Sequence, residues 1–571
     1  MKPEVKPQES FPWWKTTTVY HIYPRSFKDS NGDGIGDLRG IVSCLDYIRD
    51  LGFQTIWLSP VFASPQVDFG YDVSDYFSVA PEYGNNEDLK LLIEEVHSRD
   101  MKILLDLVLN HTSDRHPWFL VSCESRDNPK RDWYVWRDGR KPGGKAPPNN
   151  WRNEIGGAGW HYHEKTGQWY WAAFLPCQPD LNYRNPEVRE TMIGVVKHWL
   201  RFGADGYRLD IIGNIFEDPL FRNNPMCLTF LPGSDKPGML FRSHVMTKNH
   251  PDTISFMKEL RKATEEEEPP QRLLVGEVSG ETGLIREFCG KEKPDGLHSV
   301  FTFKVMDTPF TAKGFRKLIE ELETCFPDPF IPAWAFSNHD RTRRISVLGG
   351  SIEKAKLNAA LLLTARAIPF VYYGEEIGME QSQIPMKEAK DGLTPYFYRR
   401  VPRFLLPILQ KISMGAVNRD GCRTPMQWND ESNAGFTSPD AEPWLPVNVN
   451  YKSVNVKSQK NDPHSLYNCY RRFLRVRREY TALSRGGLHL LSLPGLSKGV
   501  LAFKREITPV VEAGASEKPN RVYVFLNFMK KRTRIPSPEP GLKAVVSTYL
   551  DVPKVEGDSF NLRPHEGVVL A

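Results

Sequence analysis

The sequence predicts an α/β fold of the (β/α)8 barrel class, or TIM barrel, with an inserted lobe and a C-terminal antiparallel β domain. Eight short apolar runs recur along the chain, helical patterns separate them, and several runs are apolar throughout, as strands buried on both faces are. Eight strands that alternate with helices are typical of this barrel. The runs are Val19–Phe27, Thr55–Phe62, Ile103–Leu109, Gly206–Ile212, Leu273–Val278, Val300–Phe303, Trp334–Asn338 and Phe370–Tyr373.

The segments between these runs carry helix signals. Asn185 is expected to cap a helix that begins at Pro186 and ends at Gly203, since proline suits the first helical position and glycine the residue after the last. A second helix is predicted where four apolar residues share one face. These residues are Leu89, Leu92, Ile93 and Val96.

Two connections are too long for simple strand-to-helix crossovers and indicate how the chain divides. We predict a catalytic barrel formed by residues 1–110 and 179–482, a lobe of residues 111–178 inserted after the third strand, and a C-terminal β-sandwich domain of residues 483–571. The lobe is rich in Trp, Gly and Pro, whereas the C-terminal part has short alternating runs such as Val522–Phe528. An irregular insertion of about residues 379–432 follows the eighth strand.

Composition excludes several classes of protein. Hydrophobic residues make up 40% and charged residues 25% of 571, as in ordinary globular proteins. A net charge of +5 is too weak to indicate nucleic acid as a partner. Eight cysteines without a CxxC pair argue against a zinc or redox site. Residues 1–10 are polar and no apolar run is long enough to span a membrane, so we expect a cytoplasmic protein with no membrane partner. A secreted protein whose signal was removed, and any oligomeric state, stay open.

A barrel of this class carries its chemistry at the carboxyl ends of its strands. One acid there is commonly a helix cap, but several that converge on one mouth predict a shared site. Two carboxylates facing one site are what glycosidic cleavage requires. The chain lacks HExxH, GxSxG and a phosphate-binding Gly-rich loop, which leaves metalloprotease, serine hydrolase and kinase without support. The residues at the strand ends are Asp106, His111, Asp210, Glu277, His339 and Asp340.

Several strings around these acids resemble one known family. They are Asp106-Leu-Val-Leu-Asn-His111, Gly206-Tyr-Arg-Leu-Asp210, Gly276-Glu277-Val278, Phe336-Ser-Asn-His-Asp340, Gln178-Pro-Asp-Leu-Asn182 and Arg423-Thr-Pro-Met-Gln-Trp428. They resemble the α-amylase family, glycoside hydrolase family thirteen, and within it the branch of α-glucosidases, oligo-1,6-glucosidases and sucrose hydrolases. The resemblance runs in order from about Trp13 to beyond Trp428.

The resemblance implies a retaining enzyme that acts through a covalent glucosyl intermediate. In it, Asp210 is the nucleophile, Glu277 is the general acid/base, and Asp340 holds two sugar hydroxyls. Arg208 lies two residues before Asp210, so both side chains point to the same face of a strand. We expect its guanidinium to keep Asp210 ionised, while burial keeps Glu277 protonated.

The resemblance also implies a pocket closed behind the terminal glucose, and therefore exo-action on a small α-glucoside. Asp68 and Tyr71 are expected to bind and stack that sugar, and Arg423 to close the far side by pairing with Asp68. Three further residues are predicted around the same sugar. These are His111 and His339, as hydrogen-bond donors, and Phe174, as a wall of the pocket.

A loop after the first strand presents oxygen atoms at every second position, which suits a hard cation. Taken alone, such an Asp/Gly loop is more commonly a solvated turn, but the same loop in the α-glucosidase branch binds a structural ion. The resemblance therefore implies a structural Ca²⁺ or Mg²⁺ and no organic cofactor. The expected ligands are Asp29, Asn31, Asp33, Ile35 through its carbonyl, and Asp37.

Other functions are compatible with the same residues. A transglucosidase would send the glucosyl group to an alcohol, and a sucrose isomerase or trehalose synthase would rearrange the product. Sucrose isomerases tend to carry an Arg-rich loop where this chain has Val305-Met-Asp-Thr308, which favours hydrolysis. A non-catalytic protein like the heavy subunit of amino-acid transporters is disfavoured because all three catalytic acids are present. Linkage preference stays open: Ile211 after the nucleophile is closer to the valine of α-1,6 enzymes than to the alanine or threonine of α-1,4 enzymes, whereas Asn214 departs from the α-1,6 pattern.

Overall fold

Eight parallel strands form a barrel in the computed structural model, which describes residues 11–229, 238–268, 271–395, 402–412, 417–507 and 519–571. Neighbouring strands pair in parallel around the barrel, and a bridge between Phe301 and Ala333 joins the sixth strand to the seventh. This confirms the predicted fold class. The strands are β1 (Val19–Ile22), β2 (Thr55–Leu58), β3 (Lys102–Val108), β4 (Gly206–Asp210), β5 (Leu273–Gly276), β6 (Ser299–Val300), β7 (Ala333–Ala335) and β8 (Ile368–Tyr372).

Helices cover the outside of the barrel. The helix Pro186–Phe202 has the predicted ends: the Asn185 side chain accepts from the Glu187 backbone N–H, and Gly203 follows the last turn. The second predicted helix spans Asn86–His97 and buries its apolar face. Further helices of the described chain are Leu38–Ser43, Leu45–Leu51, Pro251–Glu265, Thr282–Glu287, Lys304–Asp307, Ala312–Cys325, Arg344–Val347, Ile352–Thr364, Leu406–Ile412, Val456–Lys460, Leu466–Glu479 and Thr481–Arg485.

The first strand is shorter than the sequence predicts. β1 ends at Ile22, and Pro24–Phe27 forms a helical turn with the proline at its first position. Proline fixes φ near the helical value and lacks the N–H that a continuing strand would donate, so the chain leaves the sheet there.

A small lobe follows β3. Its three antiparallel strands are Trp136–Arg137, Gln168–Trp171 and Trp160–His163, in that spatial order. Trp151, Trp160 and Trp171 form its core. Bridges from Asp180 to His111 and from Leu181 to Tyr134 tie the lobe to the carboxyl end of β3. The predicted insertion of 379–432 includes residues 396–401 and 413–416, which lie outside the described residues, as do residues 1–10.

The last part of the chain forms an antiparallel sheet of five strands and a smaller sheet of two. One face of the larger sheet contributes Leu501, Phe503 and Val524 to the main core, while Phe525 and Val568 pack towards the smaller sheet. The larger sheet has the order Gly487–Leu490, Val500–Glu506, Arg521–Asn527, Gly567–Leu570 and Ala544–Ser547, and the smaller one pairs Thr533–Pro536 with Ser559–Leu562. In the described part of the chain, no helix is long and apolar enough to cross a membrane.

Candidate active site

Arg208 joins three carboxyl groups at the carboxyl ends of the barrel strands. It lies on β4, where the register places it beside Asp106 of β3. Its Nη1 donates to Asp106 Oδ1 at 2.8 Å and to Asp210 Oδ1 at 2.6 Å, and its Nη2 donates to Glu277 Oε2. The guanidinium is 2% exposed. The structure therefore brings the predicted nucleophile and the predicted acid/base together on one cation.

The carboxyl groups of Asp210 and Glu277 accept from the two terminal nitrogens of one guanidinium, Nη1 and Nη2 of Arg208. Glu277 follows β5 and extends its ladder, since its backbone N–H donates to the Leu209 carbonyl at 2.9 Å. An inverting glycosidase separates its two carboxyls by about 6.5–9.5 Å to admit a water between them. Two carboxyls that share one guanidinium lie close together, which suits the retaining class.

Two of the three carboxyls that Arg208 contacts have pKa values above their ordinary values. Burial raises the pKa of Asp106 to about 6, although Arg208 and the Tyr71 hydroxyl oppose the shift. Burial also raises the pKa of Asp210, and the carboxyls of Glu277 and Asp106 add to this effect while Arg208 lowers it. We expected Arg208 to dominate at Asp210. One guanidinium instead faces three carboxyls, so it cannot offset both their burial and their mutual repulsion.

Asp340, after β7, is the carboxylate that stays ionised. Its Oδ1 accepts from Arg419 Nη1 at 3.1 Å and from Arg423 Nη2 at 3.2 Å, and its side chain is 30% exposed. Burial would raise the pKa of Asp340, but the guanidiniums of Arg419 and Arg423 hold it well below its usual range. Burial lowers the pKa of His339 to about 3, which leaves that ring neutral near pH 7. The two guanidiniums therefore keep Asp340 charged.

Tyr71 connects His339 to the Arg208 cluster, which consists of Arg208, Asp106, Asp210 and Glu277. Its hydroxyl donates to Asp106 Oδ2 at 3.0 Å and lies 2.8 Å from His339 Nε2. The Tyr71 and His339 rings stack with centroids 5.3 Å apart and an angle of 10° between their planes. The predicted sugar-binding pair is thus held in a fixed orientation by its own contacts.

His111 and Phe174 lie side by side where the lobe meets the barrel, with ring centroids 5.9 Å apart. His111 Nε2 is 3.1 Å from the Tyr71 carbonyl, and its Nδ1 is 3.3 Å from Asn110 Nδ2. Burial lowers the pKa of His111 to about 4. Both nitrogens of this ring are occupied by protein groups, so His111 also fixes the backbone of Tyr71.

Asp68 pairs with Arg419, a residue that sequence reasoning missed. Arg419 Nη2 donates to Asp68 Oδ1 at 2.6 Å and to Asp391 Oδ1 at 2.7 Å, and its Nε donates to Asp391 Oδ2 at 2.9 Å. Gln178 Nε2 donates to the other Asp68 oxygen at 3.2 Å. Arg419 lies four residues before the predicted Arg423, in the same string, and that proximity is the signal that could have found it.

The predicted pairing of Asp68 with Arg423 is therefore wrong. Arg423 Nε donates to the His339 carbonyl at 2.8 Å and its Nη2 to Asp340. Its guanidinium also lies 5.3 Å from the centre of the Tyr23 ring. Arg423 contacts Asp340 on the other side of the turn Asp420–Cys422, which separates the two arginines along the chain.

The loop after β1 turns its acids towards its own backbone. Asp29 accepts N–H groups of Asn31, Gly32 and Gly34 and the Thr437 hydroxyl. Asp37 caps the helix Leu38–Ser43 and accepts from Ser30. Among the residues that the structure describes, no three His, Cys, Asp or Glu side chains are placed so that they could hold a metal ion.

The chemistry of that loop nevertheless suits a hard cation. The side-chain oxygens of Asn31 and Asp33 are exposed and bonded mainly to neighbouring backbone N–H groups. Carboxylate, amide and carbonyl oxygens within one short loop are the ligands that Ca²⁺ and Mg²⁺ take. The predicted ion stays a prediction.

The sequence of this chain matches a known protein family. The model of the α-amylase catalytic domain matches residues 21–486. The chain belongs to the α-amylase family. This confirms the resemblance and, with it, the prediction of a glycoside hydrolase.

Individual members show the range of the match. A probable α-glucosidase of Rhizobium meliloti (strain 1021) is 38% identical over 500 residues, covering 86% of this chain and 87% of the relative. The crystal structure of the α-glucosyl transfer enzyme XgtA aligns with a TM-score of 0.85 and 34% identity over 98% of this chain and 99% of its own. The trehalulose synthase MutB from Pseudomonas mesoacidophila MX-45 aligns with a TM-score of 0.84 and 30% identity over 98% and 99% of the two chains.

Proposed function

We propose that this chain is a retaining, exo-acting α-glucosidase that hydrolyses the terminal α-glucosyl linkage of short oligosaccharides or sucrose. The observation that carries the proposal is the contact of both Asp210 and Glu277 with the guanidinium of Arg208. The similarity to the α-glucosidase of Rhizobium meliloti supports the substrate class.

In the first step, Asp210 Oδ attacks the anomeric carbon and Glu277 gives its proton to the departing glycosidic oxygen. A C–O bond to Asp210 forms while the glycosidic bond breaks, and the leaving sugar departs neutral. Arg208 holds Asp210 through Nη1 and Glu277 through Nη2, so the nucleophile and the acid/base stay oriented towards one reacting centre. In the second step, the oxygen of a water molecule attacks the anomeric carbon while Glu277 takes a proton from that water. The C–O bond to Asp210 breaks, which frees the carboxylate and releases glucose with its original configuration.

The remaining residues bind the terminal glucose. Asp340, ionised between Arg419 and Arg423, accepts hydrogen bonds from sugar hydroxyls and stabilises positive charge that develops on the ring. Tyr71 offers a ring face, and His111, His339 and Phe174 complete the wall. The Asp68–Arg419 pair closes the end of the pocket, which supports exo-action in place of the Asp68–Arg423 pair that the sequence suggested.

A product assay on maltose, isomaltose, sucrose, trehalose and starch tests the proposal. We expect glucose as the first product of each substrate that is cut. On sucrose or an aryl α-glucoside, whose leaving groups are not glucose, that glucose should be released in the α configuration when observed by proton NMR before mutarotation. Release of β-glucose from these two substrates would overturn the retaining mechanism. Long fragments from starch before any glucose would overturn exo-action.

Glucosyl transfer is a second candidate, favoured by the similarity to the α-glucosyl transfer enzyme XgtA and the trehalulose synthase MutB. All three reactions share the covalent intermediate and differ in the acceptor that resolves it. Adding an alcohol to the assay separates hydrolysis from transfer, because a transglucosidase forms alkyl glucoside at the expense of glucose. Formation of trehalulose or isomaltulose from sucrose would instead indicate isomerisation.

We further propose a structural Ca²⁺ or Mg²⁺ in the loop after β1, held by side-chain oxygens of Asp29, Asn31, Asp33 and Asp37 and by the Ile35 carbonyl, with no part in the chemistry.

A cytoplasmic location is supported by the eight cysteines, all of them free thiols. Cell fractionation with an antibody to the chain tests that location.

A further inference from the structure

A second cavity lies on the outer layer of the barrel, away from the carboxyl ends of the strands where the catalytic acids are. It is a space of about 380 Å³ between the helix Leu45–Leu51 and the helix Leu466–Glu479, which pack against each other. Arginines dominate its lining. They are Arg49, Arg471, Arg472, Arg475 and Arg478.

The spacing of these arginines concentrates their charge. Arg471, Arg475 and Arg478 stand at positions i, i+4 and i+7 of one helix, so their side chains follow one face. Arg49 approaches from the neighbouring helix. Asp50 is the one acid that lines the space, and it lies 3.0 Å from Arg49.

Acidic partners balance only part of this charge. Glu479 lies 3.7 Å from Arg475, and Asp46 lies 3.2 Å from Arg49 while also pairing with Arg99. Arg471 and Arg478 have no acidic partner among the described residues. Helices that are merely solvated usually intersperse charges of both signs, whereas five arginines here face one space with one acid.

Arg472 adds an independent observation. Its Nη1 donates to the Pro463 carbonyl at 2.9 Å. Its Nε and Nη2 are shielded from solvent and have no hydrogen-bond partner. Two shielded guanidinium donors without an acceptor are costly, and negative charge in the cavity that this arginine lines would offset part of that cost.

We propose that this cavity binds a small molecule carrying two or more tetrahedral oxyanion groups, phosphoryl or sulfo. A guanidinium fork matches two oxygens of such a group. A single carboxylate or phosphate would leave most of the five arginines unpaired, so at least two anionic groups are needed. The volume suits a compact ligand and lies in the range of small-molecule sites.

Isothermal titration calorimetry at low ionic strength tests the proposal. The probes are pyrophosphate, ATP, a disulfated disaccharide and inorganic phosphate. We expect the three probes that carry two or more oxyanion groups to bind at least tenfold more tightly than inorganic phosphate. Their binding should weaken as salt is added. Tighter binding of pyrophosphate or of the disulfated sugar assigns the phosphoryl or the sulfo source, and either supports the site.

The double variant Arg471→Gln/Arg475→Gln changes two exposed side chains and should weaken binding at least tenfold without changing kcat on maltose. Arg532→Gln, an exposed arginine of the C-terminal sheets, is the matched control and should bind as the wild type does. All three proteins keep the Asp33 loop, so chelation of a loop ion by the probes affects them equally. Equal binding by the double variant, absence of binding at millimolar probe, or binding of heparin and DNA alone would overturn the proposal.

Discussion

Arg419 and Asp68 form a buried ion pair across 351 residues of chain, with Nη2 of the arginine 2.6 Å from Oδ1 of the aspartate. The same guanidinium also reaches Asp391 and Asp340. One side chain therefore connects Asp68 to Asp340, the carboxylate that we propose binds the sugar.

Replacing either member of this pair should impair every disaccharide alike. Arg419→Lys and Asp68→Asn each remove charge-assisted hydrogen bonds at the terminal glucose, worth about 1.5–3 kcal/mol each. At about 1.4 kcal/mol per tenfold, kcat/KM should fall by about 10- to 150-fold. The measurement is kcat/KM on maltose, isomaltose and sucrose. Lys387→Gln, an exposed change in the same segment, should leave all three values unchanged, and a loss confined to one substrate would contradict the shared role.

Azide should distinguish the roles of Asp210 and Glu277. In Asp210→Ala the anion can occupy the place of the lost carboxylate and attack directly, which predicts β-glucosyl azide from an activated α-glucoside. In Glu277→Ala the covalent intermediate still forms when the leaving group needs no proton, so azide should give α-glucosyl azide. The products are identified by NMR. The same anomer from both variants would contradict the assignment.

The pair Arg419 and Arg423 shows where sequence reasoning reaches its limit. The side chains of Arg208 and Asp210 were predicted to share a face because strand alternation is a local rule, and the same holds for the caps of the helix Pro186–Phe202. Arg419 and Arg423 lie in an irregular segment with no period, so which of them meets Asp68 depends on a turn and on partners far away in sequence.

The upward shift in the pKa of Asp210 was missed for a related reason. Its neighbour Arg208 is visible in the sequence, two residues away. The burial of the site, and the presence of Asp106 and Glu277 on the same guanidinium, appear only when the strands are side by side. A local rule identified the contact, and the balance of charge needed the fold.

Glu376 should make the protein less stable as the pH rises towards neutrality. Its Oε1 accepts from Tyr20 and Tyr47 at 2.8 and 2.6 Å, its Oε2 has no partner, and burial raises its pKa to about 7. Between its ordinary pKa near 4.5 and about 7, the folded state keeps a proton that the unfolded state releases. The free energy of unfolding therefore loses up to about 1.4 kcal/mol per pH unit in that window.

Glu376→Gln should remove this dependence of the free energy of unfolding on pH. Urea unfolding at several pH values measures it: the variant should gain stability relative to the wild type as the pH rises from 4.5 to 7. Glu388→Gln, an exposed substitution, should show no such trend. Parallel curves for the wild type and Glu376→Gln would contradict the prediction.

The loop after β1 should respond to divalent ions. We expect Ca²⁺ or Mg²⁺ to raise the melting temperature of the wild type and a chelator to lower it. Asp33→Asn keeps an oxygen that can accept the Ile35 N–H, so the variant should fold normally and lose the response to the ion. A wild type whose melting temperature is the same with chelator and with both ions would refute the site.

Ile211 should determine the ratio of activity on α-1,6 linkages to activity on α-1,4 linkages. It should not change how the terminal glucose is bound. It follows the nucleophile directly, is half-buried, and has φ 37° and ψ 38°, a left-handed conformation that is unfavourable for a β-branched residue. In the resembling enzymes a bulky residue here accompanies α-1,6 preference. Ile211→Val should therefore keep the ratio of kcat/KM for isomaltose to that for maltose, and Ile211→Ala should lower it by about tenfold, as expected for lost methyl groups against a leaving sugar. Asp68→Asn is the matched contrast, because it should lower both values and leave their ratio unchanged. If Ile211→Ala and Asp68→Asn shift the two substrates in the same way, linkage preference does not depend on the residue beside the nucleophile.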